Sequence, residues 1–200
     1  MSNPLVYVVD DDRPVRDSLR MLLGSAQLEV ECFSDGAAFL EGLDQQRNAC
    51  VILDIRMPGL SGLDVQHELK LREIELPIIF LTGHGDIQMA VEALKDGAHD
   101  FFEKPFRDQA LLDSIQSALK SDLQNREARE QTTDIRRRLE TLTPREREVL
   151  QRIVDGQANK VIAAELELSE RTVEIHRAKV MNKMGSRSLA QLVKDVVSLG

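Results

Sequence analysis

The chain has 200 residues, 42% of them hydrophobic and 30% charged, with a formal net charge of −8. That length suits one large domain or two small ones, and the balance is that of a folded, water-exposed protein rather than a disordered one. No apolar run approaches the roughly 18 residues a membrane helix needs, and Met1-Ser-Asn-Pro4 lacks the basic start of a signal peptide. Cys32 and Cys50 match no metal or disulfide spacing, so both are expected as buried reduced thiols in a cytosolic protein.

Charge is unevenly distributed. Residues 1–120 hold 11 Lys/Arg and 21 Asp/Glu, whereas residues 121–200 hold 15 and 13, so the halves carry −10 and +2. Between Arg171 and Arg187 five bases face one acid. Two domains with different partners follow from this asymmetry.

In chain order, Leu5–Val9 is a continuous apolar run, as a buried parallel strand should be. A helix with Val15, Leu19, Leu22 and Leu23 on one face follows. Val30–Phe33 is a weaker strand, and Ser34 can cap a helix carrying Phe39, Leu40 and Leu43. Cys50–Leu53 is the third strand, and Ser61 can cap a helix bearing Leu63, Leu69 and Leu71. Ile78–Leu81 is the fourth. Asp86 can cap the next helix, which stops at Gly97. Asp100–Glu103 is the fifth, followed by a helix from about Asp108. Five βα units with short connections predict an α/β fold: a doubly wound, five-stranded parallel sheet between helices, over residues 1–120. From Phe106 to Thr143 there is no Gly or Pro, and Lys120–Asp134 contains one large apolar residue, Leu123, which predicts that the preceding helix extends into a solvated helical linker over residues 121–141, with a flexible tether as the alternative.

The pattern changes at Thr143. Thr143-Pro-Arg-Glu146 combines an N-cap, Pro at N1 and Glu at N3, a capping box. A helix with Val149, Leu150 and Ile153 ends at Gly156. Helices over Asn159–Leu166, about Glu170–Met184 and from Ser188 complete a second, smaller all-α domain, 142–200. The pair Asn159–Leu166 and Glu170–Met184 has the form of a helix-turn-helix, with Val173, Val180 and Met184 as the buried stripe of its second helix.

In open α/β sheets, ligands bind at the carboxyl ends of strands. Here those ends carry Asp10 and Asp11, Asp54, Thr82, and Lys104-Pro105, with Asp12 an extra exposed acid. Two converging carboxylates about 4 Å apart repel by roughly 4 kcal/mol at an effective dielectric near 20. Such a cluster protonates or binds a hard cation such as Mg2+. A carboxylate, Mg2+, a lysine and a hydroxyl together make an aspartyl-phosphate site.

The runs Val8-Val-Asp-Asp11, Asp54-Ile-Arg-Met-Pro-Gly59, Thr82-Gly83 and Lys104-Pro105 resemble a response-regulator receiver, a flavodoxin-like fold. Leu142-Thr-Pro-Arg-Glu-Arg-Glu-Val-Leu150, Asn159-Lys160, Ile162-Ala163 and Thr172-Val-Glu-Ile-His-Arg177 resemble the LuxR-type helix-turn-helix. Together they resemble the NarL/FixJ family, FixJ-type transcription factors above all. The resemblance implies Asp54 as phosphoacceptor and Asp10 (through water), Asp11, Asp54 and the backbone carbonyl of Arg56 as Mg2+ ligands. It implies that Thr82 and Lys104 hold the phosphoryl group and that Phe101 is the switch aromatic. On the helical side it places Glu174, Ile175 and Ala178 against bases, with Arg177 nearby. Lys160, Arg171, Thr172, Lys179, Lys183 and Arg187 are the phosphate-contact candidates. His176 is expected to pack or touch phosphate rather than bind metal. The implied partners are a sensor histidine kinase, double-stranded DNA, RNA polymerase and, on phosphorylation, a second copy of the chain.

Two other readings stand beside this one. A haloacid-dehalogenase-like phosphatase also uses an Asp nucleophile and Mg2+, but wants a second Asp two residues on, where Arg56 stands. A phosphorylation-independent adaptor would work through protein partners alone.

Overall fold

The computed structural model describes residues 3–83 and 87–199. Asp86, expected as a helix cap, lies outside the described residues. The chain divides between Arg126 and Glu127 into two compact units.

The first unit holds β1 (Leu5–Val9), β2 (Glu29–Phe33), β3 (Ala49–Asp54), β4 (Ile78–Thr82) and β5 (Asp100–Glu103). They form one parallel sheet in the order β2-β1-β3-β4-β5. The chain leaves β1 for β2 on one side, then crosses to β3 on the other. The C-terminal ends of β1 and β3 therefore flank the switch point where an open sheet leaves room for a ligand.

Strand alternation sorts the core into two layers. Tyr7, Val9, Val51, Leu53 and Phe80 face Phe39 of α2 (Gly36–Gly42), Val65 and Leu69 of α3 (Gly62–Leu71), and Ala93 of α4 (Ile87–Lys95). Val6, Val8, Cys50, Ile52, Ile79 and Leu81 face Leu19 and Leu23 of α1 (Arg13–Ser25) and Leu111, Ile115 and Leu119 of α5 (Asp108–Glu140). Burial on both sides explains why β1, β3 and β4 are uninterrupted apolar runs. As an edge strand, β2 tolerates exposed Glu29 and Glu31.

Three local expectations need correction. The cap of α2 is Asp35, whose carboxylate accepts from the Ala38 N–H at 2.8 Å; Ser34 only donates to Asp35 at 3.2 Å. Leu71 is exposed, because two residues past Leu69 is about 200° around a helix, on the far side from the core. Cys32 is only half-buried, since β2 has a single neighbouring strand; Cys50 is fully buried, and both are free thiols. Ser61 does cap α3, forming a capping box with Asp64.

Helix α5 runs unbroken through the segment read as a linker. Its last turns contribute Ile135 and Leu139 to the core of the second unit. There they meet α6 (Pro144–Val154), α7 (Asn159–Glu165), α8 (Glu170–Met184) and α9 (Leu189–Val197). Thr143 and Glu146 close the capping box that starts α6, and Ser169 and Ser188 cap α8 and α9. Val173, Val180 and Met184 of α8 point into this core. Among the described residues no helix is long and apolar enough to cross a membrane.

Candidate functional site

The sheet brings Asp10, Asp54 and Lys104 together. Asp10 follows β1, Asp54 ends β3, and Lys104 follows β5; strand pairing sets all three at one rim. The Lys104 ammonium donates to Asp10 Oδ2 and Asp54 Oδ1, both at 2.7 Å. Each carboxylate's other oxygen accepts from backbone: Asp10 Oδ1 from the Asp12 N–H at 2.9 Å, Asp54 Oδ2 from the Arg56 N–H at 2.8 Å. Asp10 and Asp54 are buried, at 2% and 7% exposure. Burial raises the Asp54 carboxyl above its ordinary value, and the bonds from Lys104 only partly oppose this. Burial pulls the Lys104 ammonium down, but its two carboxylate partners outweigh that and raise it, so it is cationic.

Thr82 ends β4 and is buried, and its carbonyl accepts the Lys104 N–H at 2.7 Å. Phe101 pairs in register with Phe80, is half-buried, and packs on the α2–α3–α4 layer. Asp11 is exposed, and it and Arg56 border a shallow cleft of about 660 Å³ with Met57, Pro58, Leu63 and Met89. Asp12 is exposed at the start of α1 and makes no side-chain cap bond.

Among the described residues no three His, Cys, Asp or Glu side chains converge as a ready-made metal cage. Mg2+ does not require one, since it is held by one or two carboxylates and keeps several waters. The all-oxygen donors Asp11, Asp54 and the Arg56 carbonyl suit that hard cation in chemistry.

On the helical unit, Arg171, Glu174, Ile175, Ala178 and Lys179 are exposed on α8, whereas Thr172, His176 and Arg177 are half-buried. Ile175 is 49% exposed, a large apolar side chain presented to water on α8. Lys160, at the start of α7, and Arg187, after α8, are exposed. Thr172 takes part in the start of α8: its N–H donates to Ser169 Oγ at 3.1 Å. The Nδ1 of His176 is buried and finds no hydrogen-bond partner among the described residues. Lys183 is engaged within the fold, donating to Glu146 Oε2 at 2.6 Å and to the Thr141 carbonyl at 3.0 Å. That separates it from the exposed candidates Lys160, Arg171, Lys179 and Arg187.

Several residues that shape these sites carry no signal in the local pattern. Arg16 Nη1 donates to the Asp10 carbonyl at 2.5 Å. Asp122, 1% exposed on α5, accepts from the Ala49 N–H at 2.9 Å and from Arg126 Nε at 2.6 Å, tying α5 to the start of β3. Gly62 opens α3 so close to β3 that a Cβ there would collide with the Asp54 carbonyl oxygen. A small residue directly after the Ser61 cap is the one trace of this in the sequence.

Comparison with known proteins matches both units. Residues 6–116 match the family described as the response regulator receiver domain, and residues 140–195 match the bacterial regulatory proteins of the luxR family. Nodulation protein W of Bradyrhizobium diazoefficiens is 47% identical over 98% of this chain and 86% of its own length. Transcriptional regulatory protein FixJ of Rhizobium meliloti is 42% identical over 100% of this chain and 98% of its own. Among solved structures, response regulator StyR superposes with a TM-score of 0.89 at 46% identity, covering 98% of this chain and 100% of that one.

Proposed function

Since the chain belongs to the two-component response regulators that join a receiver to a LuxR-type DNA-binding domain, we propose that phosphorylation of Asp54 controls how its helix-turn-helix engages DNA. Proteins of this family regulate transcription and turn over no substrate. The observation that carries the reading is the single ammonium of Lys104 held 2.7 Å from both Asp10 and Asp54 at the switch point of the sheet.

A sensor histidine kinase is the phosphodonor. An Asp54 carboxylate oxygen attacks phosphorus, the P–N bond to the kinase histidine breaks, and the electron pair returns to the imidazole nitrogen, which takes up a proton. Asp11, Asp54 and the Arg56 carbonyl would hold Mg2+, with Asp10 acting through water; the ion supplies positive charge against the phosphoryl oxygens. Lys104 is already placed to pair with a phosphoryl oxygen on Asp54. Thr82 offers its hydroxyl from the adjoining strand end, and Phe101 refills the space when Thr82 moves inward. The remodelled face includes α4, where Val91 and Leu94 are exposed at 44% and 45%, an apolar surface suited to a second copy of the chain. Pairing places two copies of α8 on successive major-groove half-sites. There Glu174, Ile175 and Ala178 face bases, with Arg177 beside them, while Lys160, Arg171, Thr172, Lys179 and Arg187 contact phosphates. The complex acts in the cytosol and meets RNA polymerase there.

Acetyl phosphate with Mg2+ should label the wild-type chain and leave Asp54→Asn unlabelled. Equal labelling of the two removes Asp54 as acceptor. Labelling that leaves DNA affinity and dimerisation unchanged favours the adaptor reading.

A further inference from the structure

We propose that Arg138 is a positioning residue for DNA reading: from the end of α5 it fixes the C-terminal end of α8, and with it the angle at which Glu174, Ile175 and Ala178 meet bases. The inference rests on α8 being the helix in the groove.

Helix α8 ends in a left-handed turn at Gly185, φ +66°, whose N–H returns to the Asn182 carbonyl; the Ser186 N–H returns to Met181. The Met184 carbonyl, last of the helix, accepts instead from Arg138 Nη1 at 2.7 Å. A cation is thus set against the negative end of the helix dipole and hydrogen-bonded to one of its unpaired carbonyls. The guanidinium also lies against Gly185 so closely that a Cβ there would collide with it. Glycine suits this turn for its positive φ, and its lack of a side chain leaves the guanidinium its place.

The arginine is itself held. Its Nη2 pairs with Asp134 Oδ2 at 2.7 Å, one turn back along α5. Ile135 and Leu139, on either side of it in sequence, are packed into the core of the second unit. A second tie, Lys183 to Glu146 and the Thr141 carbonyl, grips the same turn of α8. By contrast, the N-terminal turn of α8 has the Ser169 cap. Ala178 stands six residues before Met184, about 9 Å along the axis at 1.5 Å per residue. A tilt at the clasp is therefore transmitted directly to the reading residues, which need placement within about 0.5 Å and 10–20°.

The test uses the full chain phosphorylated by acetyl phosphate with Mg2+, one 30-base-pair duplex that the wild type in this state selects from a random-sequence pool, and a scrambled duplex of the same composition. Arg138→Met keeps the apolar stem and should lower the ratio of selected to scrambled affinity about tenfold, leaving scrambled affinity and salt dependence unchanged. Arg138→Lys should recover part of the ratio, since an ammonium can reach the Met184 carbonyl but cannot also span to Asp134. Asp134→Ala gives the opposite sign to simple electrostatics: removing an acid should strengthen attraction to DNA, yet positioning requires the ratio to fall severalfold. If Arg138→Met melts, Asp134→Ala, which leaves the cation in place, decides the matter alone. Equal loss on both duplexes with a salt slope reduced by about one would make Arg138 a phosphate contact and overturn the proposal. An unchanged ratio in Arg138→Met and Asp134→Ala would overturn it as well. A wild-type chain that selects no duplex would overturn the reading of α8 before any variant is made.

Discussion

Replacing Glu146 by Gln should weaken the helical unit at neutral pH and reduce its sensitivity to acid. Glu146 is 3% exposed, and its Oε2 accepts from the Thr143 N–H at 2.9 Å and from Lys183 Nζ at 2.6 Å. The Lys183 hydrogen bond first, then the Thr143 N–H, holds its carboxyl down at about 2 against an ordinary 4.5. That difference would be worth about 3 kcal/mol if fully realised. Lys183, however, has a 35% exposed side chain and can turn to water, and Gln keeps the cap to Thr143, so the expected cost is about 1–2 kcal/mol. Because the folded-state value is depressed, the stabilisation is fully present above pH 4.5 and is lost as pH falls toward about 2. Urea unfolding followed by a probe in residues 142–200, at pH 7 and pH 3, measures both. The wild type should lose stability between them, and Glu146→Gln should lose less by about the amount it already lacks at pH 7. Equal pH dependence in the two proteins would refute the reasoning.

Gly62→Ala should slow labelling of Asp54 by acetyl phosphate and cost about 1–3 kcal/mol, since the new methyl meets the Asp54 carbonyl oxygen. Gly59→Ala, with φ +79° and open space around it, is the control: about 1–2 kcal/mol of backbone strain without that collision. Similar labelling rates in both would show that the approach of α3 to β3 does not matter for the site. Asp122→Ala should strand the buried Ala49 N–H and remove the partner of Arg126 Nε, leaving that guanidinium its bond to the Gln45 carbonyl, at a cost of about 1–3 kcal/mol, and hydrogen exchange at the Ala49 amide should quicken markedly. Unchanged exchange there would count against the tie.

What the sequence reveals and what it hides divide along physical lines. Strands β1, β3 and β4 are legible because burial on both faces removes polar residues from them, Asp10 and Asp54 are legible because each directly follows or ends such a run, and Lys104 because it follows the short Phe101-Phe102 core of β5. The starts of α3, α6, α8 and α9 are legible because capping is local: Ser61, Thr143, Ser169 and Ser188 need only the backbone two or three residues on. Where two cap-competent residues adjoin, as Ser34 and Asp35, composition does not choose; the N–H that ends within reach does. Leu71 misleads because a leucine near other leucines suggests the core, while helix phase turns it outward. Lys183 reads as one more base in a basic stretch, since its partner Glu146 is 37 residues away. The same holds for Asp122 with Ala49 and Arg138 with Met184: each joins a side chain to a backbone group that only the fold brings near.

The geometry at Lys104 also bounds how strongly phosphorylation can act. Before transfer, one ammonium serves two buried acids, Asp10 and Asp54. Transfer converts the Asp54 carboxylate to a neutral acyl link but adds a phosphoryl group of about −2 charge at that position. The cluster becomes more negative, and the pull on Lys104 and on the Thr82 hydroxyl grows with it. Only the part of this pull that differs between the two positions of Thr82 and Phe101 can shift their balance. A coupling of about 1–3 kcal/mol is the usual scale, a change of roughly 5- to 150-fold in the ratio of states. A receiver resting well below even occupancy of its active form would then be moved past it, whereas one already active would show little response. Lys104→Met tests whether the pull runs through this ammonium: labelled with phosphate, it should keep the added charge but lose much of the response in dimerisation. A full response without the lysine would place the switch elsewhere than on this ammonium.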